Sequence, residues 1–227
     1  VGKTMPAEIV LIGGASIIAN YGFRESTTDI DAIIHAASAM KDAIVTVGDK
    51  FGLPGGWLNS DFTHTDSYSP RLAEHSSYYK TFSDVVTVRT VEAKYLVAMK
   101  LRSGRQYKYD LSDAVGILAE SKSHGKPITI EQVQTAFVNL YGSLDLMPNS
   151  SRELLERIMA TEDFEAEYTH VAEEERRHAK LLKGFEQDYP GAANAQNVDS
   201  ILEKLKAMQP DEVNRKPKAK TKSAPER

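Results

Sequence analysis

The sequence predicts an α+β fold, in which a small mixed β-sheet with helices is followed by a helical C-terminal region. A mainly apolar segment over residues 8–12 stops at a glycine pair, and a second mainly apolar segment over 30–34, which includes Asp31, follows Asp29. A third run, over 85–88, is rich in β-branched residues, and the apolar residues after it recur at helical intervals. A change of apolar period from two to 3.6 indicates a strand that leads into a helix. Strands and helices are therefore expected to alternate in the first half of the chain.

The elements of this half follow from the same patterns and from residues that break them. Residues 52–56, with three glycines and a proline, end the Ala-rich helical pattern before them. Residues 57–83 are polar and rich in Ser and Tyr, which predicts an irregular connection with one short strand. The predicted elements are, in chain order, a strand over 8–12, a helix over 15–20, a strand over 30–34, a helix over 36–51, a strand over 85–88 and a helix over 90–102.

The second half carries only helical patterns. Ser150 and Glu153 have the spacing of a capping box, which predicts a helix start at about residue 150. The predicted helices cover 111–121, 130–140, 151–187 and 198–208, and an interruption is allowed within the third. The last residues hold three prolines and six basic side chains with almost no apolar ones, a composition typical of disorder. We therefore predict a core over 1–118, a helical region over 119–209 and a disordered basic tail over 210–227.

Composition restricts the classes of function. The net charge of −4 argues against a protein that coats nucleic acid, because affinity for phosphate backbones comes from clustered Lys and Arg. No apolar run is long enough to cross a bilayer, so no membrane association is expected. The chain has no cysteine, and its first residues lack the pattern of a secretory signal. We expect a cytoplasmic protein.

The residues that point to chemistry lie between the first two strands. Asp29 and Asp31 are two positions apart in a segment read as extended, so both carboxylates are expected on one face. Such a pair suits Mg²⁺, which binds few protein carboxylates and completes its shell with waters and phosphate oxygens. Gly13 and Gly14 lack side chains, so the backbone can approach a triphosphate at the start of the next helix, where Ser16 adds a hydroxyl.

A glycine pair followed by Asp-x-Asp resembles the minimal signature of the nucleotidyltransferase superfamily of DNA polymerase beta-like folds. The closer resemblance is to its AbiEii-type branch, the nucleotidyltransferase toxins of bacterial toxin–antitoxin and phage-defence systems, or to a related uncharacterised bacterial family. The later Lys and Lys/Arg-Asp-x-x-Asp elements of that branch are similar to Lys100, Arg105, Asp110 and Asp113. The resemblance covers about the first half of the chain.

Three features differ from that pattern. Ala15 stands where Ser or Thr is usual, and Tyr109 stands where a basic residue precedes Asp110. Fourteen residues separate Gly14 from Asp29, slightly more than usual.

The resemblance implies Mg²⁺-dependent transfer of a nucleotide from a nucleoside triphosphate to RNA or protein, as a toxin or defence component with a cognate antitoxin or toxin as partner. It also implies roles for single residues. These roles are metal binding for Asp29 and Asp31, phosphate binding for Gly13, Gly14 and Ser16, a cation on the phosphates for Lys100 or Arg24, and a third ligand or the base for Asp110.

Two alternatives remain. A catalytically silent member of the superfamily, acting as antitoxin or partner-binding scaffold, would account for Ala15 and Tyr109. A small-molecule nucleotidyltransferase, such as those that modify aminoglycosides, is also compatible with the motif, although no acidic acceptor pocket can be identified in the sequence.

Overall fold

The computed structural model describes residues 6–208, and the fold is α+β as predicted. Its five strands form one mixed sheet with the order β3-β2-β1-β5-β4. The strands are β1 (Ala7–Leu11), β2 (Ile30–His35), β3 (Leu58–Asn59), β4 (Ser76–Phe82) and β5 (Val86–Val91).

Strand β1 lies at the centre of the sheet. Apolar side chains project from both of its faces, and both faces are covered by other parts of the chain. It pairs in parallel with β5 and antiparallel with β2. Val10 points into the main core, whereas Ile9 belongs to a second cluster on the other face with Ala32 and Val88. This alternation follows from the period of two in a strand.

Eight α-helices surround or follow the sheet within the described residues. They are α1 (Gly13–Asn20), α2 (Ala39–Phe51), α3 (Ala93–Ser103), α4 (Asp110–Ser123), α5 (Ile130–Tyr141), α6 (Asn149–Ala160), α7 (Phe164–Asp188) and α8 (Val198–Met208). Helix α3 packs against α4 and α5, and its almost wholly buried residues 95–101 form the centre of the main core.

The predictions agree with these elements except at a few points. The segment expected to be irregular contains β4, an edge strand of seven residues, in addition to the short β3. Helix α6 begins at Asn149 with Pro148 before it, so the capping box predicted at Ser150 does not form. A capping box instead starts α5, where Thr129 and Gln132 bond reciprocally. The helix predicted over 151–187, for which a break was allowed, is indeed interrupted, between α6 and α7.

The chain divides into two compact units, with the boundary between Arg176 and Arg177. Residues 118 and 119, where the core was predicted to end, lie inside α4 in the first unit. The predicted basic tail, 210–227, lies outside the described residues. Within residues 6–208, no helix combines the length and the apolar character that a bilayer span requires.

Candidate active site

The glycine turn lies directly against the second aspartate. Gly13 has a φ of +53°, and a Cβ atom placed on it would lie 3.5 Å from Oδ2 of Asp31. The backbone of the turn is tied to the same residue, since the N–H of Ile12 donates to the carbonyl of Asp31 at 2.9 Å. Because a left-handed conformation disfavours residues with a side chain, the backbone favours glycine here, whereas a Cβ atom would only come into ordinary van der Waals contact with the carboxylate.

The second glycine leaves room for two polar side chains. A Cβ atom on Gly14 would lie 2.7 Å from Oγ1 of Thr27 and 3.0 Å from Nη2 of Arg24. The glycine pair, Arg24, Thr27 and Asp31 are therefore neighbours. We call this arrangement the glycine-turn site.

Negative charge is concentrated around Asp31. Asp29 is exposed at the end of the loop before β2, and Asp31 is half-buried on the strand. Burial raises the pKa of Asp31, and the carboxylates of Asp29 and Asp61 raise it further, against the opposing effect of Lys100 and Arg105. The sequence did not predict Asp61 as part of the site, because the closeness of Asp61 to Asp31 depends on the path of the connection after β3.

The donor set fits a hard divalent cation with few protein ligands. Two carboxylates can hold Mg²⁺ when waters and substrate oxygens supply the remaining ligands. Among residues 6–208, no group of three or more His, Cys, Asp or Glu side chains is arranged to hold a metal ion. A metal here would therefore be held by Asp29 and Asp31 together with its substrate, not by a complete protein cage.

Next to the acidic pair, five charged side chains form a group with a buried centre, which we call the Lys100 network. Its members are Arg24, Lys100, Arg105, Asp110 and Asp113. Lys100 Nζ lies 3.2 Å from Asp110 Oδ1 and 2.8 Å from Asp113 Oδ2. Arg105 pairs with Asp110 at 2.6 Å, and Arg24 pairs with Asp113 at 2.5 Å. The three cations outnumber the two carboxylates, so a positive charge is left to face Asp31.

This network changes what can be expected of Asp110. Its carboxylate accepts hydrogen bonds from Lys100, Arg105 and the hydroxyl of Ser103, and its side chain is only 2% exposed. Burial alone would raise the pKa of Asp110, but Lys100 and Arg105 hold it well below its ordinary value. A carboxylate with so low a pKa is a poor general base. The geometry thus favours a role for Asp110 in holding α3 to α4.

Lys100, like Asp110, is held inside the network by its charged partners. Burial lowers the pKa of Lys100, but Asp110 and Asp113 outweigh this effect and raise it, so the ammonium group stays charged. Both carboxylates already bind it, and its side chain is 8% exposed. Two carboxylates and an exposure of only 8% leave little of the ammonium group accessible to a bound phosphate.

Of the two cations predicted to bind phosphate, Arg24 is the one that lies at the glycine turn. Its Nε donates to the carbonyl of Ser26 at 3.1 Å, and its Cζ lies 5.0 Å from the ring centroid of Tyr109. Together with the pair to Asp113, these contacts orient the guanidinium beside Gly14.

The loop that carries Arg24 is held by helix α4. The N–H of Gly22 donates to both carboxylate oxygens of Glu120 at 3.1 and 3.0 Å. The ring of Phe23 covers Gly116 so closely that a Cβ atom there would lie 2.6 Å from the ring. Tyr168 meets the other side of Phe23 edge-on at 5.5 Å between centroids. Helix α4 therefore positions the loop that ends at Asp29.

Ser16 lies on α1, the helix on which it was predicted. It is fully buried, and its hydroxyl has no hydrogen-bond partner among the described residues. The phosphate contact of Ser16 stays a prediction.

Glu175 is a further residue that the sequence pattern did not reveal. It is buried, and its carboxylate accepts the N–H of Leu111 at 2.9 Å and the hydroxyl of Ser112. These contacts place an acid at the N-terminus of α4, next to Asp110. Burial raises the pKa of Glu175 to about 8 despite these hydrogen bonds.

A family of known sequences includes this part of the chain. Residues 1–120, which are 120 of the 227 in the chain, match the family described as nucleotidyltransferase of unknown function (DUF6036). The chain belongs to this family. The matched range contains the glycine turn, the acidic pair and the whole Lys100 network.

The expectation of a nucleotidyltransferase is thus confirmed at the level of the family. The match does not extend to the AbiEii-type branch, which stays a prediction. No curated protein and no solved structure matches the chain.

Proposed function

We propose that this nucleotidyltransferase moves a nucleotide from a nucleoside triphosphate to RNA or protein in a reaction that depends on Mg²⁺. The observation that supports the proposal is the closeness of the glycine turn to Asp31, because phosphates bound at that turn would lie beside the Asp29 and Asp31 carboxylates. Mg²⁺ held by Asp29 and Asp31 would neutralise charge that develops on the phosphorus oxygens.

The chain's own groups bind the phosphates. No described side chain caps the N-terminus of α1, so its first N–H groups are available to an anion. Gly13 and Gly14 allow a phosphate to approach them closely. Arg24 supplies a charge-assisted hydrogen bond at the same point and exchanges Asp113 for a phosphate oxygen when substrate binds.

In this proposal, Lys100 and Asp110 do not contact the substrate but hold the elements that do. They connect α3 to α4, and α4 in turn holds the loop of Arg24 and Asp29. Both are positioning residues here, in place of the catalytic roles that the resemblance implied.

The biological setting of the proposal is a bacterial toxin–antitoxin or phage-defence system in the cytoplasm, with a cognate antitoxin as partner. Its support is the resemblance of the motif order to AbiEii-type toxins. Growth arrest on expression of the wild type, and normal growth with Asp31→Asn, would support this setting. Equal growth with both proteins would count against it.

A catalytically silent, partner-binding protein is the second candidate. The observation in its favour is that Lys100 and Asp110 are already paired with each other, so neither is available to substrate in the described state.

Nucleotide transfer to an acceptor separates the two candidates. The protein is incubated with Mg²⁺, each α-labelled triphosphate in turn, total RNA and candidate proteins. We expect a labelled product whose rate of formation falls about a hundred-fold or more in Asp29→Asn and Asp31→Asn, because the electrostatic stabilisation of the transferring group is lost.

Asp84→Asn is the matched control. Asp84 precedes β5, at the opposite end of the sheet from the glycine turn, and its φ of +58° is tolerated by asparagine. Its activity should equal that of the wild type. Absence of product in every mixture would favour the silent candidate, and full activity of Asp31→Asn would refute the assignment of the site.

A further inference from the structure

An exposed aromatic ring lies next to the phosphate seat. Tyr109 is 53% exposed, and the guanidinium of Arg24 lies over its ring, with Cζ 5.0 Å from the centroid. The same guanidinium lies beside Gly14, where Nη2 is 3.0 Å from the position of a Cβ atom. Arg24 therefore stands between the ring and the glycine turn and touches both.

The backbone of Tyr109 is firmly held although its ring is exposed. Tyr109 directly precedes α4, and its carbonyl accepts the N–H of Asp113 at 2.9 Å. The next residue, Asp110, is buried and anchored by Lys100 and Arg105. A ring on so fixed a backbone loses little conformational entropy when a ligand binds to it.

Two other aromatic side chains of the first unit, Tyr95 and Trp57, are engaged in packing. Tyr95 is buried and stacks on His75 at 3.7 Å between centroids, and the indole N–H of Trp57 donates to the carbonyl of Ile44 at 3.0 Å. Tyr109 is the exposed ring in contact with the glycine-turn site. Sequence reasoning treated it only as a departure from a basic residue.

We infer that the ring of Tyr109 is the platform on which the nucleobase of the bound triphosphate stacks. The inference rests on the proposed function. Arg24 lies over one face of the ring, and because Tyr109 is 53% exposed, the ring still offers surface on which a flat group can stack. A triphosphate bound at Gly13 and Gly14 extends its sugar and base away from the turn, and stacking on Tyr109 holds the base by its face.

This arrangement has a consequence for specificity. A stacking platform accepts every base, since each has a π-face, and it reads no hydrogen-bonding edge. All four nucleoside triphosphates should bind, whereas inorganic tripolyphosphate should occupy the seat without using Tyr109.

Calorimetric titration with two ligands tests the inference. The ligands are a non-hydrolysable nucleoside triphosphate analogue and inorganic tripolyphosphate, both with Mg²⁺. We expect Tyr109→Ala to weaken binding of the analogue by about ten-fold or more, the range seen when a stacking aromatic is removed. Tripolyphosphate should bind the variant as it binds the wild type, because the carbonyl of Ser26 still orients Arg24.

Two further variants serve as controls. Tyr109→Phe keeps the ring and should bind both ligands as the wild type does. Tyr78→Ala removes a ring that is 64% exposed on the edge strand β4, two strands away from β1, and should change neither titration.

The inference is overturned if Tyr109→Ala binds the analogue as tightly as the wild type. It is also overturned if both ligands weaken equally, since the ring would then act only by holding Arg24. If the wild type binds neither ligand, the proposed function fails as well, and this outcome is distinct from the other two.

Discussion

At the scale of single residues, the candidate site depends on a backbone conformation. Gly13 adopts φ +53° and thereby turns the chain so that α1 starts beside Asp31. The left-handed region costs a residue with a side chain roughly 1–2 kcal/mol, because Cβ approaches the following carbonyl oxygen. A Cβ atom would in addition fill space between the turn and the carboxylate.

Gly13→Ala should therefore lower the free energy of unfolding by about 1 kcal/mol. It should also weaken binding of a Mg²⁺–triphosphate, because the methyl group would occupy the ligand's approach to Asp31. Chemical denaturation and calorimetric titration measure the two effects. Gly55→Ala is the control, since no atom lies within 4 Å of its Cβ position and its φ is not in the left-handed range. Unchanged binding by Gly13→Ala would show that the ligand does not enter at this turn.

The residues of the site that could be predicted are those close together in the sequence. Gly13, Asp29 and Asp31 form a local motif, and the sequence was sufficient to find them. The partners of Arg24 and Lys100 could not be found in the same way. Asp113 is 89 positions from Arg24, and the register between α3 and α4 decides which carboxylate each cation meets. For this reason we expected Lys100 to be accessible to substrate, whereas in the structure its side chain is buried.

At the scale of secondary structure, α4 is the common support of the site. Its first turn carries Asp110 and Asp113, and its last turns hold the loop of Arg24 through Glu120 and Gly116. Glu175 binds the N-terminus of α4 from α7. The charge state of Glu175 is therefore linked to how stably α4 is held.

The stability of the protein should depend on pH through Glu175. Its pKa is raised from 4.5 to about 8 in the folded state, so the folded state binds the proton more tightly than the unfolded state does. The contribution of this group is therefore present in full below about pH 4.5 and is lost as the pH rises to about 8. The shift corresponds to a free energy on the order of 5 kcal/mol.

Glu175→Gln removes the titrating group and retains acceptors for Leu111 and Ser112. The free energy of unfolding is measured by denaturation from pH 5 to pH 9 for both proteins. We expect similar stability at pH 5 and a more stable variant at pH 9. The difference between the two curves isolates Glu175 from the other titrating groups, and parallel curves would contradict the assignment.

Among the elements, those with strong local patterns were predicted well. Helices such as α5 and α8 were recovered within a residue at each end, because their apolar periods are regular. Strand β4 was missed because it is an edge strand with mostly exposed residues, and its sequence SSYYKTF has neither alternation nor β-branched density. The helix break after α6 and the capping of α5 depend on single polar contacts that compete with similar candidates nearby.

At the scale of the whole molecule, the order of the sheet explains why the site can form. The chain leaves β1 at the glycine turn and returns along β2 antiparallel to it, which brings Asp31 back to the end of β1. Strand β5 runs parallel to β1 and therefore delivers α3, with Lys100, to the same end of the sheet. The topology concentrates the charges of the site, although the net charge of the chain is only −4.

The family match and the sheet cover the same part of the chain. Residues 1–120 contain all five strands and every residue that we propose to contact the nucleotide. Beyond them, α5, α6 and the start of α7 complete the main core of the first unit. We therefore expect substitutions in α5 and α6 to act on stability, and substitutions at the glycine turn to act on nucleotide binding.

Binding of a non-hydrolysable triphosphate analogue in the presence and absence of Mg²⁺ tests the central claim most directly. Calorimetry should give one site per chain with Mg²⁺ and a large loss of affinity when EDTA removes the metal. Asp31→Asn should bind weakly in both conditions, and Asp84→Asn should behave as the wild type. Equal binding with and without metal, or full binding by Asp31→Asn, would contradict a phosphate seat that operates together with the Asp29 and Asp31 carboxylates.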